Sequence, residues 1–132
     1  MAEMQIPSAG SSEQVVSEQD EYSNPEFLTP GAIVRLSGAD EIRRADNGSI
    51  ATAPARAVLI SQSAVAVATI LYEGEAAVFS GLVPGAEYFL GPAGNVIQSS
   101  GLPTTAGSVI QRLGTAKNST TLLFSPSQPV EL

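Results

Sequence analysis

The chain has 132 residues, a formal net charge of −7, and neither cysteine nor histidine. Lacking cysteine, it can form no disulfide and no thiolate metal site. Lacking histidine, it has neither the commonest general base nor the commonest metal ligand, and no Ser-His or Cys-His nucleophile pair can be assembled. An enzyme is therefore not expected: no catalytic residue, no cofactor and no metal. Oxygen-only sites for Ca²⁺ or Mg²⁺ would still be chemically open, but no D-x-[DN]-x-[DN]-G loop is present.

The length suits one domain plus an extension. Residues 1–26 hold Glu3, Glu13, Glu18, Asp20, Glu21 and Glu26 with no Lys or Arg, so most of the acidity sits at the N-terminus. Such a segment repels nucleic acid and favours basic protein surfaces, so no nucleic-acid partner is expected. Met1-Ala2-Glu3-Met4 lacks the basic and apolar regions of a secretory signal. The apolar run from Ala64 to Tyr72 is too short to span a bilayer as a helix. A soluble protein with no membrane partner, made in a bacterial cytoplasm, is the expectation.

Residues 1–28 read as an extended acidic arm. Apolar residues there are sparse and follow no period, so the segment cannot order itself by burying its own surface. It does carry spaced anchors: Ile6 before a proline, the pair Val15-Val16, and Tyr22 and Phe27 flanking Asn24-Pro25. Ile6, Val15, Val16, Tyr22 and Phe27 are the candidate partner-binding residues, suited to docking in an extended form on another polypeptide.

From Leu28-Thr29-Pro30-Gly31 onward, residues 29–132 read as a β-body of short strands at regular spacing, the pattern of a sandwich or barrel. Strands are predicted at Ala32–Leu36, Ile42–Arg44, Ala57–Gln62 and Val65–Tyr72. In the last of these, Val65, Val67, Thr69 and Leu71 alternate with Ala64, Ala66, Ala68 and Ile70, so both faces are apolar and both are expected to be covered. Tyr72-Glu73-Gly74-Glu75 reads as a tight turn into Ala76–Phe79. Gly91-Pro92-Ala93-Gly94 reads as a hairpin loop joining Tyr88–Leu90 to Val96–Gln98. Strands at Val109–Ala116 and Thr120–Phe124 precede an extended C-terminal piece. No stretch sustains a 3.6-residue period, so the fold class is all-β: an antiparallel β-sandwich or small β-barrel with an extended N-terminal arm. The expected core is Ile33, Val34, Leu36, Val58, Ile60, Val67, Ile70, Leu71, Val78, Phe79, Leu90, Val96, Val109, Ile110, Leu113, Leu122 and Phe124.

Sharper chemical readings of three motifs fail on context. The Gly91–Gly94 loop is followed by a strand rather than the helix N-terminus a phosphate loop needs. Glu73 and Glu75 flank one glycine and have no aromatic-lined cleft, unlike glycosidase carboxylates. Arg43-Arg44 beside Asp40-Glu41 is a mixed-charge surface with the capacity to receive an acidic tail.

The order Tyr88-Phe89-Leu90, a glycine turn, Pro103-Thr104-Thr105-Ala106-Gly107, Val109-Ile110-Gln111-Arg112-Leu113-Gly114-Thr115-Ala116 and Thr120-Thr121-Leu122-Leu123 resembles a β-module of accessory virion proteins of tailed bacteriophages. These include capsid decoration (cement) proteins and segments of tail fibres. The resemblance covers roughly residues 80–125. It implies a virion structural protein on the exterior of the phage head, bound to the major capsid protein. There it would bridge neighbouring capsomers through its arm and form a homotrimer. The alternative it implies is a host-recognition or structural module of a tail fibre or spike, against which stand the short chain and few aromatics.

Overall fold

The computed structural model describes residues 18–38, 40–62 and 67–132. Within them run β1 (Glu18–Ser23), β2 (Ile33–Leu36), β3 (Ile42–Arg44), β4 (Ala57–Gln62), β5 (Val67–Ala76), β6 (Glu87–Leu90), β7 (Val96–Ile97), β8 (Val109–Ile110), β9 (Arg112–Ala116), β10 (Leu122–Phe124) and β11 (Val130–Glu131). The described helix is limited to short 3₁₀ turns at Pro92–Gly94 and Ser99–Gly101. The protein is all-β. One antiparallel sheet runs β3-β2-β4-β5-β10-β9-β6-β7, with β1 also on β5, while β8 and β11 form a separate two-stranded ribbon.

β5 organises the sheet. One of its edges pairs with β4; the other takes β1 along Val67–Glu73 and then β10 along Gly74–Ala76. The sheet curls into a half-barrel. At the end of the curl, the Ser23 N–H donates to the Asp40 carbonyl at 2.7 Å, and Ser23 bridges Glu41, so β1 returns to the start of β3.

Period-2 alternation then sends neighbouring residues into two cores. Ile33, Val58 and Leu71 join Tyr88, Leu90, Val109, Leu113, Leu122 and Phe124 in the larger one. Val34, Ile42, Ala57, Leu59, Ala68 and Ile70 fill the hollow of the curl, capped by Leu28. Tyr22 and Tyr72 close its rim in an edge-to-face contact, ring centroids 6.4 Å apart at 82°. The Tyr72 hydroxyl donates to the Tyr22 hydroxyl oxygen at 2.7 Å. Tyr22→Phe should therefore cost about 1 kcal/mol, read as a lower urea midpoint at unchanged slope.

Several sequence expectations meet corrections. Residues 18–28, assigned to the arm, are a strand and turn packed on this same chain. Glu73-Gly74-Glu75 is not a turn: β5 runs straight through it, because Gly74 (φ 137°) lets the strand exchange one neighbour for another without leaving the sheet. The stretch Val109–Ala116 is broken at Gln111, and its first half pairs instead with β11 in the C-terminal piece. Leu36 and Val67, expected in the core, are 39 % and 38 % exposed. Leu122 and Phe124 are buried as expected, and Ile60, Val78, Phe79, Val96 and Ile110 are half-buried. β5 does bury two faces, but Ala68 and Ile70 are covered from within the chain, so its apolar second face supplies no reason for a trimer. Ala64, Val65 and Ala66 lie outside the described residues.

Candidate partner-binding surface

The turn leaving β1 is built around Asn24, which is fully buried. Its Oδ1 accepts the Leu28 N–H at 3.0 Å and its Nδ2 donates to the Leu28 carbonyl at 2.9 Å. The Phe27 N–H donates to the Asn24 carbonyl at 3.0 Å. An asparagine side chain that mimics backbone in this way closes a tight turn. Its consequence is a sharp division of neighbours: Leu28 goes into the core, while Phe27 stands 64 % exposed. Phe27 also has φ 53°, a conformation strained for a bulky side chain, and such strain tends to be kept where a site needs it.

Phe27 forms one wall of a groove of about 530 Å³. Val78 and Phe79 contribute further apolar surface, Arg44 a cation, and Ala93–Asn95 the facing loop. That loop is held by Asp46, whose Oδ2 accepts the Ala93 N–H at 3.0 Å while Oδ1 accepts the Gly48 N–H at 2.7 Å. Gly94 is required there, since a Cβ would come within 2.9 Å of Arg44 Cγ and 3.1 Å of the Ile33 carbonyl. The Gly91–Gly94 segment joins antiparallel β6 and β7 as a hairpin.

Charges around the groove are largely matched. Arg43 lies 3.8 Å from Glu26 and 3.5 Å from Glu41, and Glu26 Oε1 also accepts the Arg44 N–H at 2.8 Å. These side chains are about a third exposed, so such pairs orient more than they stabilise. Glu75 meets Lys117 at 3.1 Å on the surface of the sheet. No group of three or more metal-ligating side chains occurs among the described residues, and no helix among them is long and apolar enough to cross a membrane.

Of the five anchors expected from sequence, Ile6, Val15 and Val16 lie outside the described residues. Tyr22 is engaged by Tyr72 of its own chain rather than offered to a partner. Phe27 is on the surface. It is joined there by Val78, Phe79 and Arg44, which sequence reasoning assigned to core or charged surface; the four come from three separate segments, the turn after β1, the end of β3 and the stretch after β5, and no local pattern links them. The acidity also shifts. Glu18, Asp20, Glu21 and Glu26 belong to β1 and the turn after it, which leaves Glu3 and Glu13 as the acids of residues 1–17. No family model, curated protein or solved structure matches this chain.

Proposed function

We propose that the protein is a capsid cement protein of a tailed bacteriophage, a virion structural component that binds the outer surface of the head. The major capsid protein is the partner. The resemblance of residues 80–125 to phage accessory modules supports this reading, and the observation that carries it is Phe27. An aromatic ring held out by a strained turn, on the wall of a groove just beyond the C-terminal end of β1, gives the β-body a ready anchor.

The mechanism is mechanical. β1 pairs with β5 along its whole length, so contacts made by the preceding residues are tied directly into the sheet. An anchor on the body and a second on the segment before β1 can grip neighbouring capsomers together, and repetition over the lattice raises the effective affinity beyond that of one contact. Trimerisation belongs to this proposal on the resemblance alone.

The test mixes the full-length protein, Phe27→Ser, and a chain deleted for residues 1–17 with undecorated phage heads. Burying a phenylalanine contributes about 1.5–3 kcal/mol, so Phe27→Ser should weaken attachment by roughly tenfold or more. Its unfolding free energy should change by no more than about 0.5 kcal/mol, because the ring is exposed in the free protein. Deletion of residues 1–17 should weaken attachment further and lower the temperature at which heads lose their genome. Full-length protein that ignores heads but sediments with tails would move the assignment to the fibre. Undiminished head binding by both variants would remove Phe27 and the segment from the mechanism.

A further inference from the structure

Among the described residues, Arg44 is the one charged side chain lining the Phe27 groove. It ends β3 and is exposed. A Cβ on Gly94 would come within 2.9 Å of its Cγ, so the arginine stem lies against the backbone of the facing loop. The carboxylates nearby are committed elsewhere. Glu26 accepts the Arg44 N–H at 2.8 Å through Oε1 and lies 3.8 Å from Arg43 through Oε2, while Glu41 lies 3.5 Å from Arg43. No ion pair or side-chain hydrogen bond reaches the Arg44 guanidinium from the described residues.

Phe27, Val78 and Phe79 bring apolar surface into the same groove. An uncompensated cation beside apolar surface constrains whatever covers both. A segment seated in the groove against Phe27 also takes Arg44 out of water, and a guanidinium buried without an acceptor is costly. A purely apolar partner would lose on Arg44 much of what it gains on Phe27. One that also brings a carboxylate keeps both contributions.

We infer that the groove receives an extended polypeptide segment in which an Asp or Glu stands next to a large aliphatic side chain. The guanidinium fork matches a carboxylate with two parallel N–H···O bonds, and Phe27, Val78 and Phe79 take the aliphatic neighbour. The groove's volume of about 530 Å³ lies in the range of about 300–1,000 Å³ where ligand sites fall. Nucleic acid fits poorly: one cation meets one phosphate, and Glu26 and Glu41 beside Arg43 repel the next. The inference rests on the reading of this groove as a docking surface and adds the chemistry its partner must present.

The test titrates the full-length protein at low ionic strength, read by NMR of backbone amide and arginine Nε–H signals. Four probes are compared: Ac-Ser-Leu-Asp-Ser-NH₂, Ac-Ser-Leu-Asn-Ser-NH₂, Ac-Ser-Ala-Asp-Ser-NH₂ and inorganic phosphate. The first should give saturable shifts at Phe27, Arg44, Val78 and Phe79. The other two peptides should bind about tenfold more weakly, for want of the carboxylate or of the aliphatic chain. Arg44→Gln keeps the stem of the side chain and should weaken the first peptide about tenfold. The thermal midpoint should not move, because the guanidinium has no bond to lose. Arg56→Gln is the control: it removes the same charge from an exposed arginine in a separate cleft, with Pro54 and Pro126, and should leave binding unchanged. The inference is overturned if the first peptide causes no saturable shift, or if phosphate or either other peptide binds as tightly. It is overturned equally if Arg56→Gln weakens binding as much as Arg44→Gln, or if Arg44→Gln lowers the midpoint and so marks a structural residue. Heads are absent from this test. A protein that binds heads through Phe27 but ignores the peptide loses this inference alone, and one that takes the peptide but ignores heads loses the capsid alone.

Discussion

Gly114→Ala should cost about 3 kcal/mol or more, a large part of the 5–15 kcal/mol that holds a typical domain together. Gly114 lies inside β9, opposite Phe124 of β10 on one side and Tyr88 of β6 on the other. Its φ is 154°, and an added Cβ would overlap the Leu123 carbonyl oxygen. The next obstacles are the Leu123 carbonyl carbon at 2.9 Å and the Phe124 Cα at 3.4 Å. All are backbone, so no rotamer change relieves the clash; β10 itself must move. That movement would displace Leu122 and Phe124, both almost fully buried in the larger core. Gly107 provides the comparison. It too has a positive φ, 91°, but a Cβ there meets nothing within 4 Å, so Gly107→Ala carries only the conformational cost of about 1–2 kcal/mol. Urea unfolding should show the first variant far below the second. Equal midpoints would mean that β9 and β10 do not pair in this register.

The sequence was legible where alternation and turn chemistry act over a few residues. β3 and β4 begin and end where Ile42-Arg43-Arg44 and Ala57–Gln62 predict, and the β6–β7 hairpin sits on its Gly-Pro-Ala-Gly loop. β1 was opaque for a physical reason. Glu-Gln-Asp-Glu-Tyr-Ser is poor in the β-branched and apolar residues that mark strands, and it is ordered by the ladder it shares with β5. Of the second core, Val34 and Ile70 were expected while Leu28, Ile42, Ala57, Leu59 and Ala68 were not; Ala57 and Ala68 are compatible with surface or interior, and only the curl decides. Features assembled across distance left no local trace. The groove joins residues near 27, 44, 79 and 94.

Gln111→Leu should destabilise the protein by about 2–5 kcal/mol although it exchanges a buried side chain for an apolar one of similar size. Gln111 is 2 % exposed and stands where β8 ends and β9 begins. Its Oε1 accepts the Ala55 N–H at 2.7 Å, and its Nε2 donates to the Ala55 carbonyl at 3.0 Å and the Ser127 carbonyl at 2.8 Å. The side chain thus acts as a short length of strand, pairing both backbone groups of Ala55 and tying in the C-terminal segment. Leucine satisfies none of them. Ala55 is 1 % exposed, so its N–H and carbonyl would lose their partner without gaining water, at about 1–3 kcal/mol each. Hydrogen exchange gives the local reading: the Ala55 amide should lose more protection than the global destabilisation explains. If its protection falls only in step with global stability, Gln111 is an ordinary core residue.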